Sequence, residues 1–239
     1  MATTLSKRNK ENAKLVEKGK TYELKDAVKV LKQAVKTKFD PSIELQFKLG
    51  VDLSASDQVV RGNATLPHGR GKTPKVIVFS KDDSAKAAKE AGADVVGGDD
   101  LIEKVLGGWM DFDVAISTPQ MMKDVGKLGK VLGPRGLMPS PKAGSVTDNP
   151  AKAVKEVKSG RIEFKMDKQG NVNVAIGKAS FEDQKIVDNG AVVINALLAA
   201  RPRSLKGTLI KSAHASSTMG PGLKLDLSKF IKETEASEE

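Results

Sequence analysis

The spacing of apolar residues switches twice along this chain, and that limits what it can fold into. Residues 43–49 put Ile43, Leu45, Phe47 and Leu49 on alternate positions, with Glu44, Gln46 and Lys48 between them. From residue 161 the alternation returns, in Ile162, Phe164 and Met166 and then Val172, Val174 and Ile176. A period of two buries one face of a strand and wets the other. Between these stretches lie short continuous apolar runs, VIVF at 76–79 and VAIS at 114–117, separated by helical patterns. Strands buried on both faces belong to parallel sheets covered by helices.

Two such patterns predict an α/β chain of two domains. Residues 1–67 plus 161–239 form a discontinuous α+β domain with an antiparallel sheet. Residues 68–160 form an inserted, Rossmann-like α/β domain. Residues 67–73 with Ser159 and Gly160 are the expected two-strand hinge, about which the inserted domain can swing.

Local signals fill in the elements. A helix is predicted over 6–18 with Ser6 as cap and Gly19 as stop, then a second behind a Thr21 cap with Leu24, Ala27, Val28, Leu31 and Val35 on one face. Residues 59–66, with Arg61, Asn63 and Thr65 on a common face, are expected to complete a hairpin with 43–49. In the middle come helices at 84–91, 101–106 and 151–158, one opened by Pro119, and a strand at 94–96. A second hairpin is expected from 161–166 to 172–176 across an Asp-Lys-Gln-Gly turn. A helix over 182–200 carries Ile186, Val193, Leu197 and Leu198, and accepts Gly190 at a cost of about 1 kcal/mol relative to Ala. Closing strands at 208–213 and 223–227 flank the loop SSTMGPG.

Charge narrows the partners. The net charge is +10 and the pI about 9.6. The outer segments are the more basic once the four acids of the tail (Glu233, Glu235, Glu238, Glu239) are set aside. An anionic partner is expected, held mainly by those segments. The acidic tail is expected to be disordered. The absence of cysteine removes disulfides, thiolate nucleophiles and thiolate metal sites. No apolar run is long enough to span a bilayer, and the N-terminus is too polar for a signal peptide, so a cytoplasmic protein with no membrane partner is expected.

Residues 126–144, GKLGKVLGPRGLMPSPKAG, hold five glycines, three prolines and the cations Lys127, Lys130, Arg135 and Lys142, with no acid. They read as an ordered basic loop or anion-facing surface, or else a plain solvated connection. GRGKT at 69–73 resembles the end of a P-loop but lacks the upstream glycine, since Leu66 stands there, and a strand follows it. His68 and His214 have no triad or metal spacing and read as structural or surface groups. No paired-carboxylate motif is present, so no enzyme, cofactor or metal site is expected. In SSTMGPG, hydroxyls and bare backbone suit ribose and base edges, and Met219 can pack on a splayed base; an ordinary hairpin loop is the alternative. Phe39 at a helix-to-strand corner plugs the core on base rates, or stacks on a nucleotide. Glu44 forms a weak surface salt bridge, or accepts from a base amine or ribose hydroxyl.

Taken together, GKLGKVLGPRGLMPSPKAG, GGWMDFD, VRGNATLPHGRGK, SGRIEFKMDK and SSTMGPG resemble the L-one family of large-subunit ribosomal proteins, bacterial type, over nearly the whole chain. The resemblance implies a monomer when free that joins the mobile ribosomal stalk beside the tRNA exit site. It would bind large-subunit rRNA, assist release of deacylated tRNA, and repress its own mRNA through a similar RNA structure. Carried over by motif, the RNA-binding residues are Lys38, Phe39, Ser42 and Glu44 at the corner, Lys165 on the adjoining strand, and Thr208 and Ser212 on the closing strand. Ser216, Thr218, Met219 and Gly220 complete the set. Lys127, Lys130, Arg135 and Lys142 then become a secondary RNA or tRNA contact. Two other readings compete: a nucleotide-dependent α/β enzyme and a non-specific basic architectural protein.

Overall fold

A computed structural model describes residues 6–17, 19–34, 37–53, 55–141 and 144–231. Lys18, Val35, Lys142 and the tail acids lie outside the described residues. The chain is a mixed α/β structure. It opens with α1 (Lys7–Leu15), β1 (Thr21–Tyr22), α2 (Leu24–Gln33), β2 (Ser42–Leu49) and β3 (Arg61–Thr65). Then follow β4 (Val76–Phe79), α3 (Asp82–Glu90), β5 (Val95–Gly97), α4 (Asp99–Leu106), β6 (Val114–Ser117), α5 (Met122–Val125), α6 (Gly129–Leu132) and α7 (Pro150–Ser159). It closes with β7 (Arg161–Lys165), β8 (Asn171–Lys178), α8 (Asp183–Ala199), β9 (Ile210–Ser217) and β10 (Gly222–Leu225). The chain divides into two compact units, Met1–Gly71 with Glu163–Glu239, and Lys72–Ile162.

The first unit is built on a five-stranded sheet in the order β1-β10-β9-β2-β8, antiparallel except for the parallel β1–β10 pair. Ile43, Leu45, Phe47 and Leu49 of β2 are all buried, as alternation requires, with Val172, Val174 and Ile176 of β8 beside them. Helices α2 and α8 cover that face through Leu24, Ala27, Val28 and Leu31 and through Ile186, Val193, Ile194 and Leu197. The helices meet closely at Gly190, where a Cβ would stand 2.9 Å from Leu24 Cδ2. This close approach, absent from any propensity argument, explains a glycine inside a helix of 17 residues.

Several expected pairings are corrected. Thr21 does not cap α2; it lies in β1, and Glu23 occupies the cap position. β3 pairs with β7 in a separate two-stranded sheet, so neither expected hairpin forms: β2 pairs with β8 and β9 instead. The Asp-Lys-Gln-Gly turn is present, with the Asp167 carboxylate accepting from the amides of Gln169 and Asn171, each at 2.8 Å. Those hydrogen bonds, the Asn171 amide foremost, hold Asp167 below the usual carboxylate range. Thr208 precedes β9 rather than lying on it.

Asn189 is fully buried in α8 and spends its whole side chain on backbone. Its Oδ1 accepts from His68 N at 3.2 Å, and its Nδ2 donates to Gly69 O at 2.9 Å and Ile176 O at 2.8 Å. A segment without regular structure is thereby tied to the helix and to β8.

The second unit has a three-stranded parallel sheet, order β5-β4-β6. β4 is buried at every position. Ala88, Ala153 and Val154, from α3 and α7, pack on one side of the sheet with Val76, Val78 and Ile116. Leu101, Val105, Val125, Leu128 and Leu132 pack on the other with Ile77 and Phe79. Asn149 caps α7, accepting from Lys152 N at 3.2 Å, and Gly160 ends it in the left-handed region at φ 114°.

Asp94 fastens the start of β4. Its carboxylate accepts from Val76 N at 2.8 Å with Lys158 Nζ 3.5 Å away, and the Val76 amide first and Lys158 after it hold its pKa below the ordinary 3.8. A carboxyl whose folded pKa is lowered stabilises the fold fully above its unfolded value, and that contribution disappears as pH falls through the folded value. Wild type is therefore expected to lose urea resistance below about pH 3.8 more steeply than Asp94→Asn. Parallel curves for the two from pH 6 to pH 2 would contradict this role.

Candidate nucleic-acid interface

The helices cover one face of the five-stranded sheet, and the opposite face carries polar side chains, none of them buried. Strand register orders them in rows. Lys224, His214, Gln46 and Asn173 lie across β10, β9, β2 and β8. Gly222, Ser216, Glu44 and Ala175 form the next row, and Ser212, Lys48 and Asn171 a third. Gln46 Nε2 donates to Ser216 Oγ at 2.7 Å and holds that hydroxyl in the middle of the face. Glu44 has no ion-pair partner among the described residues, so the expected surface salt bridge does not form there.

One end of this face is closed by the turn after β9. Thr218 N donates to Ser42 O at 2.9 Å, and Thr218 Oγ1 accepts from Ser42 N at 3.1 Å, so the threonine hydroxyl fixes the turn against the start of β2. Met219 follows at φ +68° with 57% of its surface exposed. A non-glycine residue in the left-handed region costs roughly 1–2 kcal/mol, and here nothing apolar is gained by burial. Gly220 N closes the turn on Ser217 O at 2.8 Å, and a Cβ at Gly220 would overlap the Ser217 hydroxyl.

Phe39, a few residues before Ser42, is 54% exposed. The base-rate expectation that it plugs the core is therefore wrong. It stands out at the corner beside exposed Lys38, where Thr37 Oγ1 donates to the Phe39 carbonyl at 2.7 Å. Lys178, which motif reading missed, lies opposite Ser42 and donates to Ser42 Oγ at 3.0 Å and Asp40 O at 3.3 Å. Strict alternation from Val172, Val174 and Ile176 would send Lys178 to the buried face; the register shift between Ile43 and Glu44 sets it opposite Ser42 instead.

The structure thus brings together Ser42, Glu44, Ser216, Thr218, Met219 and Gly220, with Lys38 and Phe39 adjacent in the chain. Ser212 shares the face near its other end, opposite Lys48, and Thr208 lies beyond it. Lys165 is exposed on β7, in the two-stranded sheet and not on this face.

Residues 126–144 are not one loop. Their first part is helical, and Leu128 and Leu132 are buried together with Met121 and Val125. Lys127 pairs with Asp124 at 2.9 Å, which draws the Asp124 pKa down, while Lys130 and Arg135 are exposed. No group of His, Cys, Asp and Glu among the described residues could hold a metal ion, and no described helix is long and apolar enough to cross a membrane.

Residues 30–221 match the family described as Ribosomal protein L1p/L10e. The chain belongs to that family. It is also 54% identical over 222 residues to a protein of Protochlamydia amoebophila (strain UWE25) named large ribosomal subunit protein uL1, covering 93% of this chain and 94% of that one. Membership in the L1p/L10e family agrees with the resemblance that the sequence motifs carry. The matched residues include β2, β8, β9 and the turn at Thr218, while β1 and β10 at one edge of the sheet fall outside them.

Proposed function

We propose that this chain is a structural constituent of the large ribosomal subunit that binds large-subunit rRNA through the uncovered sheet face and its Ser42–Thr218 end. The observation that carries the reading is the turn itself. A strained, exposed Met219 and an exposed Phe39 stand beside the Thr218 hydroxyl, which the Ser42 amide holds in place, on the same face as the Glu44 carboxylate. Apolar side chains held out of the core suit unstacked bases, and hydroxyls and Glu44 suit ribose and base donors. The two units serve as separate domains, the first carrying the principal RNA site.

The family supports the finer reading. On it, the protein acts without catalysis on cytoplasmic ribosomes, in the stalk near the tRNA exit site. There it helps release deacylated tRNA, and it represses its own messenger by binding a similar structure. Lys130 and Arg135, exposed on the second unit, suit the secondary contact to RNA or tRNA.

Titration of the intact protein with a transcript of the large-subunit rRNA stalk region, across a salt series, tests this. The expected result is binding that weakens with salt and exceeds that of a shuffled transcript of the same length. Equal affinity for both transcripts and for duplex DNA would favour a basic architectural protein instead.

A further inference from the structure

From Asn189 to Leu225 the chain contains no Asp or Glu, but it carries Arg201, Arg203, Lys206, Lys211 and Lys224. Four of these cations fall in or just after the connection from α8 to β9, at the end of the sheet away from Thr218. Arg201, Arg203, Lys206 and Lys211 are all exposed, and none has a carboxylate partner among the described residues.

The connection is built, not loose. Leu205 and Leu209 are buried and anchor it, and Leu205 N donates to Pro202 O at 3.1 Å. Arg201 Nη2 donates to Gly207 O at 2.9 Å, and Gly50 N donates to Leu209 O at 2.8 Å. The register between β2 and β9 slips here: Lys48 faces Ser212 and Leu49 faces Ile210, so Lys211 has no counterpart. A bulge of this kind turns a side chain away from its alternating direction. Alternation alone would send Lys211 to the buried face with Ala213 and Ala215; the bulge leaves it exposed. The nearest acids by chain position are committed elsewhere: Asp188 pairs with His68 and accepts from Gln184, and Asp226 accepts from Ser228.

We infer that Arg203, Lys206 and Lys211 form a second anchoring surface, which holds the phosphate backbone of the same RNA whose bases and riboses meet the Ser42–Thr218 end. This rests on the RNA-binding reading proposed above. β9 spans the distance between the two surfaces, roughly 25 Å for eight extended residues, so one folded RNA lying along the strand reaches both. Division of labour follows from chemistry. The Thr218 end offers hydroxyls, a carboxylate and apolar side chains that discriminate, whereas this end adds to the Thr208 and Ser212 hydroxyls a set of cations, which position without reading sequence.

The test compares wild type with Arg203→Ala, Lys206→Ala, Lys211→Ala combined, using the stalk transcript and its shuffled counterpart from 50 to 300 mM salt. Three lost phosphate contacts are expected to lower the slope of log affinity against log salt by about 2 to 3 and to weaken binding at least tenfold near 0.1 M salt. The preference for the stalk transcript over the shuffled one stays unchanged. A variant with wild-type slope and affinity overturns the inference while leaving the RNA reading standing; that result is also expected if an acidic protein segment occupies this surface. A variant that keeps the slope but loses the preference also overturns it, because these side chains would then be reading sequence. Wild type that fails to bind the transcript at all overturns the RNA reading and this inference with it. The three side chains are exposed, and circular dichroism confirms that the variant folds.

Discussion

Replacing Thr218 and Met219 together by alanine is expected to weaken binding to the stalk transcript roughly 30- to 100-fold, with the salt slope almost unchanged. The two substitutions act differently. Thr218 does not need to touch RNA: its hydroxyl accepts from Ser42 N, and its loss leaves the turn tied to the start of β2 only by the bond from Thr218 N to Ser42 O. Met219 is the side chain presented, held at φ +68° with 57% exposure. Losing the order of the first and the contact surface of the second removes about 2 to 3 kcal/mol, and each 1.4 kcal/mol is tenfold. Neither residue is charged, so phosphate contacts stay in place. Unaltered affinity would reduce the turn to a structural closure of the sheet and move recognition elsewhere. Thr218→Ser, which keeps the hydroxyl, is expected to bind nearly as wild type.

Asn189→Ala is expected to cost about 2 to 4 kcal/mol of stability, read as a lowered urea midpoint with unchanged slope. The residue is fully buried and serves three backbone groups at once. Truncation leaves the Ile176 carbonyl, deep between α8 and β8, without its donor. It also releases the His68 amide and the Gly69 carbonyl, which lie nearer solvent and can turn to water. Asn189→Asp is expected to be at least as harmful, since a carboxylate accepts from His68 but cannot donate to Gly69 or Ile176. A cost below about 1 kcal/mol for the alanine variant would mean that water substitutes for the whole side chain.

Much of this architecture is legible in residue spacing, and the misses have a common cause. Alternation finds β2, β7 and β8 and says which face of each is buried, because a strand's two faces see different solvents. It does not say which strands pair. Adjacent runs suggested hairpins, but β3 joins β7 across about a hundred residues, and β2 is flanked by two strands from the far end of the chain. Such pairing is decided by how α2 and α8 fill the core. Thr21 and Tyr22 form a strand too short to show a period, and threonine before a helical pattern points to a cap instead. In residues 126–144 the glycines and prolines drew attention to a loop, whereas Met121, Val125, Leu128 and Leu132 at helical spacing carried the better signal. At the interface, Ser42, Glu44, Ser216 and Thr218 came from motifs, and their register confirms only that they are neighbours. Lys178 and the bulged Lys211 escaped because both depend on partners distant in sequence. For Phe39 the two signals divide, since burial statistics favour the core for any phenylalanine while the motif places it among the RNA-binding residues, and only the fold shows that it faces outward.

The most direct test of the central claim is amide chemical-shift mapping of the isotopically labelled intact protein as the stalk transcript is added. The account predicts that the largest shifts fall on residues 38–48 and 212–220, with smaller ones on 201–211. Shifts concentrated on residues 126–141, with the face of the five-stranded sheet silent, would contradict it and place the RNA on the second unit.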